Sequence, residues 1–192
     1  MKKIAVFFLL LSSICFGNNN LELLISTEEI DHKLTEICAK IDQEYQGEEL
    51  TVLIVMKGAI CVASDLIRKL QIPTTIEYMK ASSYGHKGTS RGELTITGID
   101  RLDLKGKNVL LVDDIFDSGA TMTGIVERLQ EKNPKSLKTL VLLLKKVDRE
   151  TKYRPDYILF EIENRFVIGY GLDYKEYYRG LPAIYAFIND TP

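Results

Sequence analysis

The sequence predicts an α/β protein with a mostly parallel sheet and helices on both of its faces. Leu50–Met56 is a continuous apolar run rich in branched residues, and residues 108–114 contain the apolar run VLLV; both segments are typical of strands that are buried on both faces. Each run precedes a segment with helical periodicity, and strands that alternate with helices form doubly wound parallel sheets. The chain has 192 residues, of which 45% are hydrophobic, which is enough for one domain with a substantial core.

The individual elements follow from local patterns. Ser26 and Glu29 have the spacing of a capping box, apolar residues then recur at helical intervals to Tyr45, and Gly47 ends the helix. The polar segment 81–94 has no apolar period, which predicts a long surface loop that can act as a lid. Antiparallel strands are expected at one edge of the sheet. The other predicted elements are helices at 59–70 and 121–131 and strands at 72–79, 137–144, 157–162 and 166–170.

The first twenty residues have the outline of a secretory signal peptide. Two lysines precede an apolar run from Ile4 to Phe16, Gly17 is the small residue, and three asparagines follow. The run is too short to span a bilayer as a stable helix. A disordered extension and a misassigned start codon are the open alternatives. We expect a leader over residues 1–20 and one domain over residues 21–192, with membrane contact only if the leader is retained.

Charge and cysteine content exclude several classes of function. The net charge is -2 and the pI about 5.8, so no overall positive field would attract nucleic acid or an anionic membrane. An anionic ligand must therefore be held by a local site. The three cysteines are odd in number and have no metal-ligand spacing, and the two histidines lie far apart, which excludes a disulfide framework and a zinc site.

The segment DDIFDSGAT, from Asp113 to Thr121, holds three carboxylates within five residues. On a helix, Asp113 and Asp117 would share a face and could bind magnesium for a prenyl diphosphate. At the end of a strand, the same residues could hold a sugar phosphate. The preceding strand-like residues and Ser118-Gly119, which suits a helix interior badly, favour the second interpretation. Ligands of open α/β sheets bind at the carboxyl ends of the strands, and the following helix start provides donors for a phosphate.

The longer segment VLLVDDIFDSGAT resembles the diphosphate-sugar motif of the phosphoribosyltransferase family, in which hydrophobic residues precede two acids, two hydrophobics, an acid, Ser/Thr-Gly and Thr. One departure is Asp113, where the purine branch usually has Glu. Segments VMKGA, LLLKK and FEIENRFVIGYGLDYKEYYRGL extend the likeness to the hypoxanthine-guanine branch, over about residues 21–185. The resemblance implies the type I fold of the family, with a flexible lid loop and a small hood region. It also implies Mg²⁺, 5-phosphoribosyl 1-diphosphate and a 6-oxopurine as ligands, and a homodimer or homotetramer.

The resemblance also implies a role for each matching residue. Asp117 would be the general acid/base at N7 of the purine. The ribose phosphate would be bound by Asp113, Asp114, Asp117, Ser118, Gly119, Ala120 and Thr121. The purine would be bound by Lys145, Phe166, Val167 and Asp173. Pyrophosphate binding and lid closure would involve Lys57, Gly58, Ser83, Tyr84 and Arg179, and the metal ligands would be Asp173, Asp113 and Asp114.

Taken singly, several of these residues have ordinary structural explanations: Phe166 and Val167 as core, Asp173 as a cap and Arg179 as surface charge. Their joint spacing favours the site. Hypoxanthine, with guanine, is the expected acceptor in a purine-salvage transfer to N9 that releases pyrophosphate. Xanthine is the alternative acceptor, whereas the ammonium of Lys145 disfavours the 6-amino group of adenine. A regulator that keeps the fold and binds RNA or DNA is a further alternative, disfavoured because no basic face or added domain is evident. The cytoplasm is expected because the sugar diphosphate is found there, with export as the alternative.

Overall fold

The computed structural model describes residues 20–83, 94–146 and 153–188, with the side chains of residues 82 and 83 excepted. Three helices and nine strands occur in this part of the chain. In chain order they are β1 (Leu21–Ile25), α1 (Thr27–Glu44), β2 (Leu50–Met56), α2 (Ile60–Lys69), β3 (Thr74–Ser83), β4 (Leu94–Thr97), β5 (Asn108–Phe116), α3 (Ala120–Gln130), β6 (Ser136–Lys145), β7 (Tyr157–Ile162), β8 (Val167–Ile168) and β9 (Ile184–Phe187).

The larger sheet has six strands in the order β4-β3-β2-β5-β6-β7. Strands β3, β2, β5, β6 and β7 are adjacent in this order and run parallel to one another. In this sheet only β4, at one edge, is antiparallel to its neighbour. After β2 the chain adds β3 and β4 towards one edge of the sheet, and after β5 it adds β6 and β7 towards the other edge. The switch point between these two strands is where doubly wound sheets bind ligands. The predicted parallel sheet with an antiparallel edge is confirmed.

Both faces of this sheet are buried, as the continuous apolar runs predict. Along β2, Val52 and Ile54 pack in a core with α1 and α2, while Leu53 and Val55 pack in a second core with α3. Successive side chains of a strand point to opposite faces, so a strand between two helical layers needs apolar residues throughout. Helices on both faces are therefore confirmed.

A small antiparallel sheet, β1-β9-β8, forms the hood beside the larger sheet. Its strand β8 is shorter than the predicted 166–170, because Gly169 and Tyr170 have left-handed backbone angles, with φ of 95° and 48°. Strands β1, β4 and β9 were not expected from the sequence. These strands have four or five residues each, too few to show a periodicity that distinguishes them from loops.

Helix α1 begins with the predicted capping box. The Glu29 backbone N–H donates to Ser26 Oγ at 3.2 Å, and the Ser26 N–H donates to Glu29 Oε2 at 2.8 Å. Among the described residues, none of the helices combines the length and apolar composition needed to cross a membrane. The predicted leader lies outside the described residues except for Asn20, and most of the predicted lid loop lies outside them as well.

Candidate active site

A cavity of about 370 Å³ opens at the carboxyl ends of β2 and β5, at the switch point of the sheet. Three chain segments that are far apart in sequence meet there: the end of β2, the turn between β5 and α3, and the turn that follows the hood strand β8. The predicted site residues in its lining are Lys57, Gly58, Asp113, Asp114, Asp117, Ser118, Gly119, Thr121, Asp173 and Arg179. The structure thus brings together most of the residues that the sequence assigned to the sugar, phosphate and pyrophosphate.

The two adjacent carboxylates at the end of β5 are held by backbone donors. The Asp114 N–H donates to Asp113 Oδ1 and the Ile115 N–H donates to Asp114 Oδ1, both at 2.9 Å. Burial and the neighbouring charge of Asp114 raise the pKa of Asp113 well above its usual range. Burial also raises the pKa of Asp114, against the lowering effect of the hydrogen bond to Asp113 and the charge of Arg179. Asp113 therefore holds a proton to higher pH than an exposed aspartate does.

We expect Asp113→Asn to stabilise the ligand-free protein, by an amount that increases with pH. Because the folded state raises the pKa of Asp113, the wild type loses stability as pH rises from the unfolded pKa through the folded one. The asparagine avoids that loss. The gain in unfolding free energy should be on the order of 1 kcal/mol at alkaline pH and should disappear in acid. Denaturant unfolding across a pH series, without magnesium, measures it; a pH-independent difference would contradict the assignment.

Gly58 is required by the close approach of Asp114. A Cβ atom at residue 58 would lie 1.6 Å from Asp114 Oδ2, and a Cβ at Gly171 would lie 2.0 Å from the Gly58 carbonyl oxygen. The backbone of this loop is therefore packed between a site carboxylate and the turn after β8. The Met56–Lys57 peptide bond at the start of this loop is cis.

The start of α3 has the geometry of an anion site. Gly119 is the N-cap, with a left-handed φ of 74°, and no side chain caps the helix. The first N–H groups of a helix lack intrahelical partners, and the helix dipole adds positive potential there. Ser118 and Thr121 line the cavity beside these groups, whereas Ala120 is exposed and lies outside its lining. Asp117 is exposed at the cavity edge, so it can reach a ligand without moving the core.

Four charged residues form a cluster, three of them in the cavity lining and the fourth, Glu176, in contact with two of those: Lys57, Asp173, Glu176 and Arg179. Arg179 Nη2 lies 2.7 Å from Asp173 Oδ1, and its Nη1 donates to the Gly171 carbonyl at 2.8 Å. Arg179 Nε is buried and has no hydrogen-bond partner among the described residues. Glu176 lies between the two cations, and the sequence analysis did not select it. Its position three residues from both Asp173 and Arg179 was the available signal.

The predicted purine-binding residues Lys145, Phe166 and Val167 lie outside the cavity lining. Lys145 ends β6, one position after Leu144, which pairs with Phe116 of β5. Phe166 is 38% exposed, and its ring contacts Tyr174, the residue after Asp173. Val167 is buried in β8. Lys145 therefore follows a partner of cavity-lining Phe116, and Phe166 contacts the neighbour of cavity-lining Asp173.

Lid residue Ser83 ends β3, where it pairs with Leu94, and Tyr84 lies outside the described residues. Cavity-lining residues that the sequence analysis did not select are Val55, Met56, Ala81, Ile115, Phe116 and Met122. They are apolar residues of strands and a helix, which gave no sequence signal beyond a core position.

The carboxylates fit a magnesium site that a phosphate ligand completes. In the described part of the chain, no group of three or more acidic, histidine or cysteine side chains is placed to hold a metal by itself. Magnesium commonly binds one or two carboxylates together with substrate phosphates. Asp173 and the Asp113–Asp114 pair, all in the cavity lining, offer such hard oxygen ligands.

Comparisons with known proteins agree with this architecture. Residues 26–175 match the family model of the phosphoribosyl transferase domain. The chain is 41% identical over 166 residues to the hypoxanthine-guanine phosphoribosyltransferase of Aquifex aeolicus, over 86% of this chain and 93% of the relative. It is also 36% identical over 167 residues to the bifunctional protein TilS/HprT of Listeria monocytogenes, over 87% of this chain and 26% of that longer protein.

A crystal structure of a hypoxanthine-guanine phosphoribosyltransferase from Bacillus anthracis has the same fold. It aligns with a TM-score of 0.80 at 36% sequence identity, over 86% of this chain and 97% of that one. The sequence likeness, the shared fold and the motif at the switch point agree. The chain therefore belongs to the phosphoribosyltransferase family, in its hypoxanthine-guanine branch.

Proposed function

We propose that the protein transfers the 5-phosphoribosyl group of 5-phosphoribosyl 1-diphosphate to N9 of hypoxanthine or guanine and releases pyrophosphate. One observation carries the proposal: a carboxylate pair and an uncapped helix start share a cavity with Lys57 and Arg179. Such a site is acidic in its centre and favours anions at both ends. A ribose with a phosphate on one side and a diphosphate on the other matches that arrangement.

The sugar phosphate would be held at the end of β5 and the start of α3. Backbone N–H groups of Gly119, Ala120 and Thr121, with the hydroxyls of Ser118 and Thr121, would donate to the 5-phosphate. Carboxylate oxygens of Asp113 and Asp114 would accept from the ribose hydroxyls, directly or as metal ligands. Two fixed ends would keep the anomeric carbon in line for attack, which is the main gain from positioning.

The leaving diphosphate would be held on the opposite side. As the bond at the anomeric carbon breaks, negative charge grows on the pyrophosphate, and the Lys57 and Arg179 side chains with the loop N–H groups at residues 57 and 58 would stabilise it. Asp173, with Asp113 and Asp114, would hold Mg²⁺. When bound, the metal neutralises negative charge on the diphosphate.

The purine would lie between the cavity and the hood. The Lys145 ammonium would donate to the 6-oxo group, Phe166 would stack on the base, and the backbone at Val167 and Asp173 would bind its edge. Asp117, exposed in the cavity lining, would act as the general acid/base at N7 and take up the N7 proton as N9 bonds to the ribose. Closure of the loop that contains Ser83 and Tyr84 would exclude water from the activated sugar.

The test is an assay of the full chain with magnesium, the sugar diphosphate and each of four bases. We expect nucleotide products with hypoxanthine and guanine and none with adenine, because a protonated lysine cannot accept from a 6-amino group. Product with xanthine would widen the specificity without changing the reaction. If none of the four bases gives a nucleotide product, the proposal is wrong.

The proposal places the reaction in the cytoplasm, where the sugar diphosphate is made and used. Protein recovered from an exported fraction and beginning at Asn18 would overturn that placement. We also propose a homodimer or homotetramer, which light scattering of the purified protein measures.

A further inference from the structure

One carboxylate, Glu176, has no role in the proposed reaction but contacts both cations assigned to the pyrophosphate. Its Oε2 lies 2.7 Å from Lys57 Nζ and 3.5 Å from Arg179 Nη2. A single carboxylate oxygen therefore occupies the space between an ammonium and a guanidinium. A phosphate oxygen that bridges Lys57 and Arg179 in the same way would occupy the position of this carboxylate oxygen.

We infer that Glu176 is an internal competitor of the diphosphate, which occupies Lys57 and Arg179 in the free protein and is displaced when pyrophosphate binds. The inference rests on the proposed function, because that function gives the two cations their ligand. Glu176 thereby lowers the affinity of the site for pyrophosphate and favours its release after transfer. It modulates the affinity for a product and is not a catalytic residue.

The charges of the cluster support this exchange. The cluster has two cations, Lys57 and Arg179, and two carboxylates, Asp173 and Glu176, so it is neutral as a whole. The hydrogen bond from Lys57 lowers the pKa of Glu176. Removing this one negative charge would leave a net positive cluster without changing either cation.

The backbone holds Glu176 in this position. Its N–H donates to Asp173 Oδ2 at 2.8 Å. Its φ of 71° is in the left-handed region, which residues other than glycine rarely adopt. Lys175 before it has a φ of 52°. The turn thus presents the Glu176 side chain towards the end of β2, and the contact with Lys57 does not depend on a freely rotating segment.

The contact is weak enough to be exchanged during turnover. Lys57 and Glu176 side chains are 55% and 64% exposed, and an exposed ion pair changes an equilibrium constant by only about two- to five-fold. A pyrophosphate carries several negative charges and can contact both cations at once. Pyrophosphate therefore displaces the glutamate, and this displacement modestly reduces its affinity for the site. Removing the glutamate charge should restore the lost affinity, which an experiment can measure.

The test is calorimetric binding of inorganic pyrophosphate, with magnesium, to the full chain and to Glu176→Gln. We expect the variant to bind about two- to five-fold more tightly, and its affinity to fall more steeply with salt, because the net charge of its cluster is positive. The matched control is Glu48→Gln. Glu48 forms an exposed pair with Lys135 at 2.6 Å, at the opposite end of the sheet, so this change should leave the affinity unaltered.

A double-mutant cycle distinguishes direct competition for Lys57 from a general change in the electrostatic potential of the site. In a Lys57→Met background, Glu176→Gln should give a smaller gain, because the glutamate then has one cation fewer to occupy. An equal gain in both backgrounds, or no gain in either, would overturn the inference. Nucleotide formation by the wild type is measured in parallel. Normal synthesis with unchanged pyrophosphate affinity in Glu176→Gln rejects only the competitor, whereas absent synthesis rejects the proposed function itself.

Discussion

Asp117→Asn should lower kcat by about two to four orders of magnitude, the usual contribution of a positioned general acid/base. The amide has nearly the same size but cannot take up the proton from N7. Because Asp117 is exposed and no hydrogen bond or ion pair links it to another described residue, we expect the melting temperature to remain unchanged. Binding of the sugar diphosphate should also persist, since the phosphate donors at Ser118 to Thr121 are intact. Single-turnover kinetics with hypoxanthine separates the chemical step from binding.

The matched control for this variant is Asp103→Asn. Asp103 is exposed in the segment between β4 and β5 and lies outside the cavity lining. Its substitution removes the same charge and should leave kcat near the wild-type value. Near-native turnover of Asp117→Asn would exclude the acid/base role, and an equal loss in both variants would point to a nonspecific charge effect.

Gly58→Ala should reduce kcat/KM by about a hundredfold or more. The added Cβ would lie 1.6 Å from Oδ2 and 2.3 Å from Cγ of Asp114, so either the loop or the carboxylate must move. Asp114 cannot turn away without losing its hydrogen bond from the Ile115 N–H. A displacement of about 1 Å in a positioned group commonly costs about two orders of magnitude. The strain should also lower the unfolding free energy by about 1–3 kcal/mol.

Gly180→Ala is the control, because a Cβ at Gly180 would meet no atom within 4 Å and its φ is not in the left-handed region. Both stability and kcat/KM should then stay close to the wild type. Denaturant unfolding and steady-state assays on the two variants distinguish a local steric clash at Gly58 from a general effect of replacing glycine by alanine. Wild-type activity in Gly58→Ala would show that the loop and Asp114 are free to separate.

The sequence predicted the layers of the fold well because burial leaves a direct pattern in it. Strands β2 and β7 have the predicted bounds, since their ends coincide with the ends of continuous or dense apolar runs. The strands of the hood were harder to predict. Leu21–Ile25 and Ile184–Phe187 pair with each other across nearly the whole chain, and no local pattern encodes a partner so distant.

In the candidate site, too, local features could be predicted from the sequence, whereas contacts between distant segments could not. Residues 113–121 could be assigned because a strand, an acid pair and a helix start follow one another within one local motif. The contacts of Glu176 with Lys57, and the approach of Gly171 to Gly58, join segments that only the tertiary fold brings together. A sequence can suggest which residue types such a cluster contains, but the pairing of charges depends on distances that the fold sets.

The contact between the Gly58 carbonyl and Gly171 also has a consequence for synthesis of the protein on the ribosome. A nascent chain that ends before residue 169 already contains β2, β5 and the start of α3, and with them the residues proposed to bind the sugar phosphate. It lacks Asp173 and Arg179, and nothing yet packs against the β2 loop from outside. The residues proposed for the sugar phosphate are therefore synthesised before Asp173 and Arg179, which complete the lining of the cavity.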